Sequence, residues 1–174
     1  MADKGPLAEL LATNERQTLA FFAVSLGEVC ESSIDRQELL YNASVLAHYA
    51  LSSTQAGVDM PAPATLTAVF DQFVLNTSMI HDSSMMETAA AQCLLLAGFF
   101  EDQMRGRHNI RWYAELGAGF FRRAAAHEPS TTKAQLLLTL SRSFEPWRQR
   151  HARLSRELRD RPYVLTLREP PGVM

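Results

Sequence analysis

Leu137, Leu140, Phe144, Trp147, His151, Leu154 and Leu158 follow one another in alternating steps of three and four. Steps of that size hold one stripe of an α-helix, whereas a strand turns its side chains to opposite faces at every residue. The stretch is helical, and its oily stripe has to be covered by the rest of the chain or by a second copy. Pro146 lies inside it, lacking the backbone N–H and crowding the preceding turn, so a bend is expected there.

The same period organises the remainder. A short amphipathic piece, Leu7 to Ala12, leads to Asn14 as the expected N-cap of a first long helix carrying Leu19, Phe22, Leu26 and Val29. Ser32-Ser33 is expected to cap a second, through Leu39, Leu40, Ala43, Leu46, Ala47 and Ala50, with a loop beginning near Ser52. Leu66, Val69, Phe70, Phe73 and Val74 mark a third. The fourth is expected to open on a capping box, Ser84 with Glu87, and to run through Ala89, Cys93, Leu96, Phe100 and Met104. Asn109 is expected to cap a fifth, which carries Ile110, Tyr113, Leu116, Gly117, Phe120, Phe121 and Ala124. Ser130 or Thr131 opens the last, running to about Arg159. Beyond Pro162 the period changes to alternation in Tyr163–Arg168, which predicts an extended tail. The expectation is all-α: a single-domain bundle of five or six helices over 1–161, with its core built from the second, fourth, fifth and last helices, and a short extended C-terminal tail over 162–174.

Composition narrows the function classes. The chain has 174 residues, 47% hydrophobic and 21% charged, enough to bury a core without staples. Cys30 and Cys93 lie far apart with no neighbouring thiol, which removes CxxC redox pairs, four-cysteine zinc sites and secreted disulfide frameworks. The N-terminus lacks a signal-peptide layout, and the most apolar run, Thr88–Phe100, falls short of the roughly 20 residues of a spanning helix. A cytoplasmic protein without membrane contact is expected. Charge is distributed unevenly: residues 1–104 hold 13 acids and 3 bases, and residues 105–174 hold 14 bases and 6 acids. Three origins fit this split: two parts folding against each other, subunits meeting through opposite faces, or a basic part meeting an anionic partner.

Catalytic and metal chemistry find little support. A di-iron bundle needs Glu-x-x-His on one helix face, and no Glu here has His at the third place; Glu28, Glu31, His48, His81, Glu87, Glu101 and His108 are scattered. His48 reads as a core or boundary histidine. His81-Asp82-Ser83-Ser84 holds the residue types of a hydrolase triad, but sequence neighbours do not converge on one reacting atom, so a capping turn is expected. Gly117-Ala-Gly119 lacks the strand and third glycine of a dinucleotide loop; Gly117 and Gly98 are expected to let helices cross closely. No catalytic residue, cofactor or metal is assigned.

Residues 92–125 carry a pattern: Gln92-Cys-Leu-Leu-Leu-Ala-Gly-Phe-Phe100, the bases Arg105 and Arg107, Trp112-Tyr-Ala-Glu-Leu-Gly117 and Phe120-Phe-Arg-Arg-Ala-Ala125. It resembles an uncharacterised family of small all-helical bacterial proteins, in which a Leu-rich Ala-Gly-Phe-Phe helix precedes a basic turn and an aromatic Tyr/Gly helix. The resemblance extends weakly to Leu39–Tyr49 and Leu136–Trp147. It departs where that family has Gly-Asp before the Leu-rich segment and Pro after the Phe pair; here stand Ala91-Gln92 and Glu101. It implies a helical fold and a bacterial origin and lends no catalytic residue.

Three functional readings follow. The first is a non-enzymatic interaction or assembly protein, a homodimer or the partner of another protein, using Phe144, Trp147, His151, Leu154, Leu158, Tyr163, Leu165 and Leu167. The second is binding of an anionic partner, nucleic acid included, through Arg148, Arg150, Arg153 and Arg156, against which stand a pI near 6.2 and the interrupting Glu145, Glu157 and Asp160. The third is a small apolar ligand among Phe99, Phe100, Trp112, Tyr113, Phe120 and Phe121.

Overall fold

The computed structural model describes residues 6–30, 33–55 and 82–160, with side chains described from 15 to 30, 33 to 51 and 82 to 160. Within them the chain is all helical: α1 (Pro6–Val29), α2 (Arg36–Gln55), α3 (Ser83–Leu94), a π-helical turn (Leu95–Phe99), α4 (Glu101–Met104), α5 (Ile110–His127), α6 (Thr131–Arg142) and α7 (Phe144–Asp160). The helix expected around Leu66–Val74 and the tail expected beyond Pro162 lie outside the described residues.

Most expected stripes are inward faces. Phe22, Leu26 and Val29 of α1, Ala43 and Leu46 of α2, and Ala89, Cys93, Leu96, Phe100 and Met104 along α3, the π turn and α4 are all buried. Leu40, expected on the α2 stripe, is 40% exposed. The antiparallel pairs α1–α2 and α5–α6 each pack together, α3 packs on α5, and α7 crosses the π turn and reaches α1. Fully buried side chains come from every long element, among them Leu26, Leu46, Leu94, Phe121, Leu140 and Trp147, so the layers share one core.

The boundaries differ from expectation at four places, each for a local reason. Asn14 does not cap; α1 runs through it from Pro6, which suits the first helical position, and an interior Asn costs only about 0.7 kcal/mol. Asp35, not Ser33, opens α2, its Oδ1 accepting from the Glu38 N–H at 3.1 Å; Ser32 lies outside the described residues. Asp82 likewise opens α3, accepting from the Met85 N–H at 3.1 Å, so Ser84 lies inside the helix and Glu87 is released for tertiary contacts. Asn109 and Ser130 cap α5 and α6 as expected.

The fourth difference concerns the last helix, which is divided at Ser143 into α6 and α7 where one bent helix was expected. The Ser143 N–H still reaches the Thr139 carbonyl at 2.9 Å, and the Trp147 N–H restarts the ladder on the Ser143 carbonyl at 3.2 Å. Between them Pro146 has no N–H for the carbonyl of Arg142, four residues back, and its ring crowds that carbonyl. The break is pinned from α2: Ser143 Oγ donates to Glu38 Oε1 at 2.6 Å and Trp147 Nε1 to the same oxygen at 3.2 Å.

Gly98 and Gly117 are the close approaches expected of them. A Cβ on Gly117 would stand 2.5 Å from Phe144 Cζ and 2.7 Å from Cys93 Cβ, and one on Gly98 would stand 3.0 Å from the Arg148 carbonyl and His151 Cβ. The π turn, closed by the Phe100 N–H on the Leu95 carbonyl at 2.9 Å, lies where α7 crosses at Gly98.

Candidate functional site

The stripe of the last helix closes inside the chain. Phe144, Trp147, His151 and Leu154 are each at most 4% exposed, and Leu158 is half-buried against the same core. The expectation of an interaction surface is corrected for Phe144, Trp147, His151 and Leu154, which their own fold covers; Leu158 is covered only in part. Tyr163, Leu165 and Leu167 lie outside the described residues. The aromatic set splits in a similar way. Phe99, Phe100, Tyr113, Phe120 and Phe121 are buried, while Trp112 is 44% exposed. Phe99 packs edge to face on Phe100 at 5.4 Å and Tyr49 on Phe100 at 5.6 Å, which is core packing, while Trp112 and Phe120 line a surface hollow.

His151 and Asn42 form a buried polar pair at 0% exposure each. Asn42 Nδ2 donates to the Glu38 carbonyl at 2.9 Å, so Oδ1 is the amide atom facing His151, at 2.9 Å from Nε2. An oxygen accepts, so Nε2 carries the proton and Nδ1 is a bare lone pair, which is buried without a partner. Burial without a countercharge pushes the imidazole pKa down to about 3. His48, expected in the core or at its boundary, is exposed on α2. His81 lies outside the described residues; Asp82 makes the capping turn, and Ser83 Oγ donates to the Ala124 carbonyl at 2.9 Å.

The four arginines expected to meet an anion are largely engaged within the chain. Arg148, its side chain 11% exposed, holds Glu145 through Nε at 2.9 Å and Nη2 at 2.6 Å, while Nη1 reaches the Ala97 carbonyl and Glu101, both at 3.1 Å. Four of its five N–H groups are thereby used. Those contacts hold the Glu145 carboxyl below its ordinary range and raise Arg148 above its own, the Glu145 bonds being the largest cause. Arg156 reaches Glu101 at 2.7 Å and Asp102 at 3.3 Å, and Arg159 also contacts Asp102. Arg150 lies over the Trp147 ring at 4.6 Å, and Arg153 donates to the Val29 carbonyl at 3.3 Å. Arg105 joins Glu101 at 2.7 Å, which makes this buried carboxylate the meeting point of three arginines. The acidic and basic parts of the chain therefore fold against each other. Glu87 repeats the pattern, accepting from Tyr41 Oη at 2.8 Å and pairing with Lys133 at 2.9 Å.

A groove of about 790 Å³ lies open to solvent where α5 begins and the last helix breaks. One end is the turn Arg105–Asn109, which Gly106 closes at φ +87°, a conformation that favours glycine. The floor is apolar, formed by Ile110, Ala114, Ala118 and Phe144. The rim carries Arg105, Arg111, Arg142, Arg148 and His108 against Glu115 and Glu145. Arg111 and Glu115 form an exposed pair at 3.1 Å, their side chains 87% and 68% accessible. Arg142 has no carboxylate partner among the described residues. In the sequence it is one more base on a long helix; only the break at Ser143 and the antiparallel return of α6 on α5 bring it opposite the basic turn.

Among the described residues no three His, Cys, Asp or Glu side chains converge as a metal-holding set, and no helix is long and apolar enough to cross a membrane. Cys30 and Cys93 are free thiols, half-buried and buried. Comparison with protein-family models, curated proteins and solved structures finds no match to this chain, so the resemblance of residues 92–125 assigns no family.

Proposed function

We propose that the protein is a non-enzymatic binding protein of the bacterial cytoplasm whose working surface is the groove between the basic turn, α5 and the α6–α7 break, and whose partner is anionic. The carrying observation is the charge there: of the four guanidinium groups that line the groove, Arg105, Arg111 and Arg148 each have a carboxylate partner, while Arg142 has none among the described residues. Nearby arginines of α7 are held by Glu101, Asp102 and Glu145, so an anion is drawn to the groove rather than to the helix face. The test is a titration of the full chain with inorganic phosphate, followed residue by residue by NMR. Shifts concentrated in 105–118 and 141–148, lost in Arg142→Glu and weakened by added chloride, are the expected result. Shifts spread evenly over all arginines, or none, would refute the reading.

A second reading, self-association, draws on three exposed apolar side chains: Val24 at 57%, Leu40 at 40% and Trp112 at 44%. Val24 and Leu40 lie on the acidic part of the chain and Trp112 on the basic part, so a second copy could offer both charge and apolar complement. Sedimentation equilibrium at micromolar concentration is expected to show a dimer that Trp112→Ala weakens; a monomer throughout would end this reading.

A further inference from the structure

We infer that the groove takes a small organic oxyanion, a phosphate ester or carboxylate with a compact apolar body, whose head is shared by Arg142 and Arg111 and whose body lies on Ile110, Ala114, Ala118 and Phe144. The inference rests on the anion-binding reading above and adds the class of ligand.

Counting donors decides which arginines serve the head. Arg148 has already given four N–H groups to Glu145, Glu101 and the Ala97 carbonyl, and at 11% side-chain exposure it cannot swing outward without breaking them. It lends positive potential and fixes the wall. Among the described residues Arg142 keeps its whole planar fork, the geometry that matches two oxygens of one phosphate or carboxylate. Arg111 lines the same groove, and its present partner Glu115 is an exposed neighbour one helical turn away, a weak, solvent-screened arrangement. A ligand oxyanion displaces Glu115 at little cost, and the released carboxylate turns to solvent.

The floor and the volume decide the rest of the molecule. A bare inorganic anion would leave the apolar surface of the partly buried Ile110 and Ala118 wet. A groove of about 790 Å³ lies within the range of small-molecule sites. A long polyanion is disfavoured because it needs a continuous row of unoccupied bases, and the row on α7 is interrupted by its own acid pairs.

The experiment is a three-probe titration of the full chain, with inorganic phosphate, phenyl phosphate and phenylacetate followed by NMR and calorimetry. Phenyl phosphate or phenylacetate is expected to bind about tenfold more tightly than inorganic phosphate, with the largest shifts at Ile110, Ala114 and Ala118. Either organic probe at that margin supports the inference, and the tighter of the two names the head group. Arg142→Ala and Arg111→Ala are each expected to weaken it about tenfold. Glu115→Gln is expected to tighten it by about threefold, because Arg111 is freed; all three sites are exposed, and circular dichroism checks that the variants fold. Inorganic phosphate binding as tightly as both organic probes would overturn this inference while leaving the anion-binding reading in place. No shift in the groove with any probe would overturn both, and tightening in Arg142→Ala would overturn the head-group assignment.

Discussion

A histidine and a glycine show how one residue's surroundings set its effect on the whole. His151 is neutral in the fold because its ring is buried with no countercharge, yet free to take a proton at the ordinary value near 6.5 when unfolded. The unfolded chain therefore binds more protons than the folded one between about 3 and 6.5. The stability due to a neutral His151 is fully present above pH 6.5 and falls on acidification by about 1.4 kcal/mol per pH unit within that window. Asp102 and Glu145, whose carboxyls are held low by arginine, add their own loss only nearer their ordinary values of 3.8 and 4.5. Chemical denaturation between about pH 6 and 5 isolates the histidine. His151→Gln, which keeps a donor for Asn42, is expected to flatten the slope; an unchanged slope would place its origin elsewhere. At Gly117 an added methyl meets Phe144 and Cys93 Cβ, and the latter is tied to a backbone that cannot yield. Gly117→Ala is expected to cost about 1–3 kcal/mol by overpacking, read as a lower thermal midpoint.

Among the elements, the junction of α6 and α7 has the widest consequences. Proline accounts for the interruption, but the angle is held by Glu38, whose one oxygen takes hydrogen bonds from Ser143 and the buried indole of Trp147. Glu38→Ala leaves that indole N–H without a partner, and a loss of about 1–3 kcal/mol is expected, with near-ultraviolet dichroism of the tryptophans altered as well. A variant as stable as wild type would mean that packing alone sets the junction. The helices themselves were readable from spacing, because a covered stripe is written locally every third or fourth residue. Their caps were less so: Asp35 and Asp82 compete with nearby serines that are equally good in isolation, and tertiary placement of Glu38 and Glu87 settles which is used.

For the molecule as a whole, the charge split is the organising electrostatic feature, and Glu101 is its centre. Removing this carboxylate in Glu101→Ala leaves one Nη1 donor of the nearly buried Arg148 without its acceptor while Glu145 still holds the rest of the guanidinium, and a loss of about 1–3 kcal/mol is expected. Arg105→Ala and Arg156→Ala, at side chains 66% and 48% exposed, are expected to cost less than about 1 kcal/mol each. Urea titrations of the three variants separate the cases, and equal losses would show that the cluster acts as an undivided surface network. Leu137 through Leu158 left two coverings open at the level of spacing, a second copy or the same chain; the structure closes the stripe from within because α1, α2 and the π turn all reach it.

The sequence by itself determined the helical class, the inward faces and the close contacts at Gly98 and Gly117, because periodicity and residue size are local properties. Only the tertiary structure decided which arginines are neutralised and which remain for a ligand. Arg148 and Arg142 are indistinguishable as letters, and their difference comes from Glu145 and Glu101, the latter 47 residues from Arg148, lying beside one guanidinium and not the other.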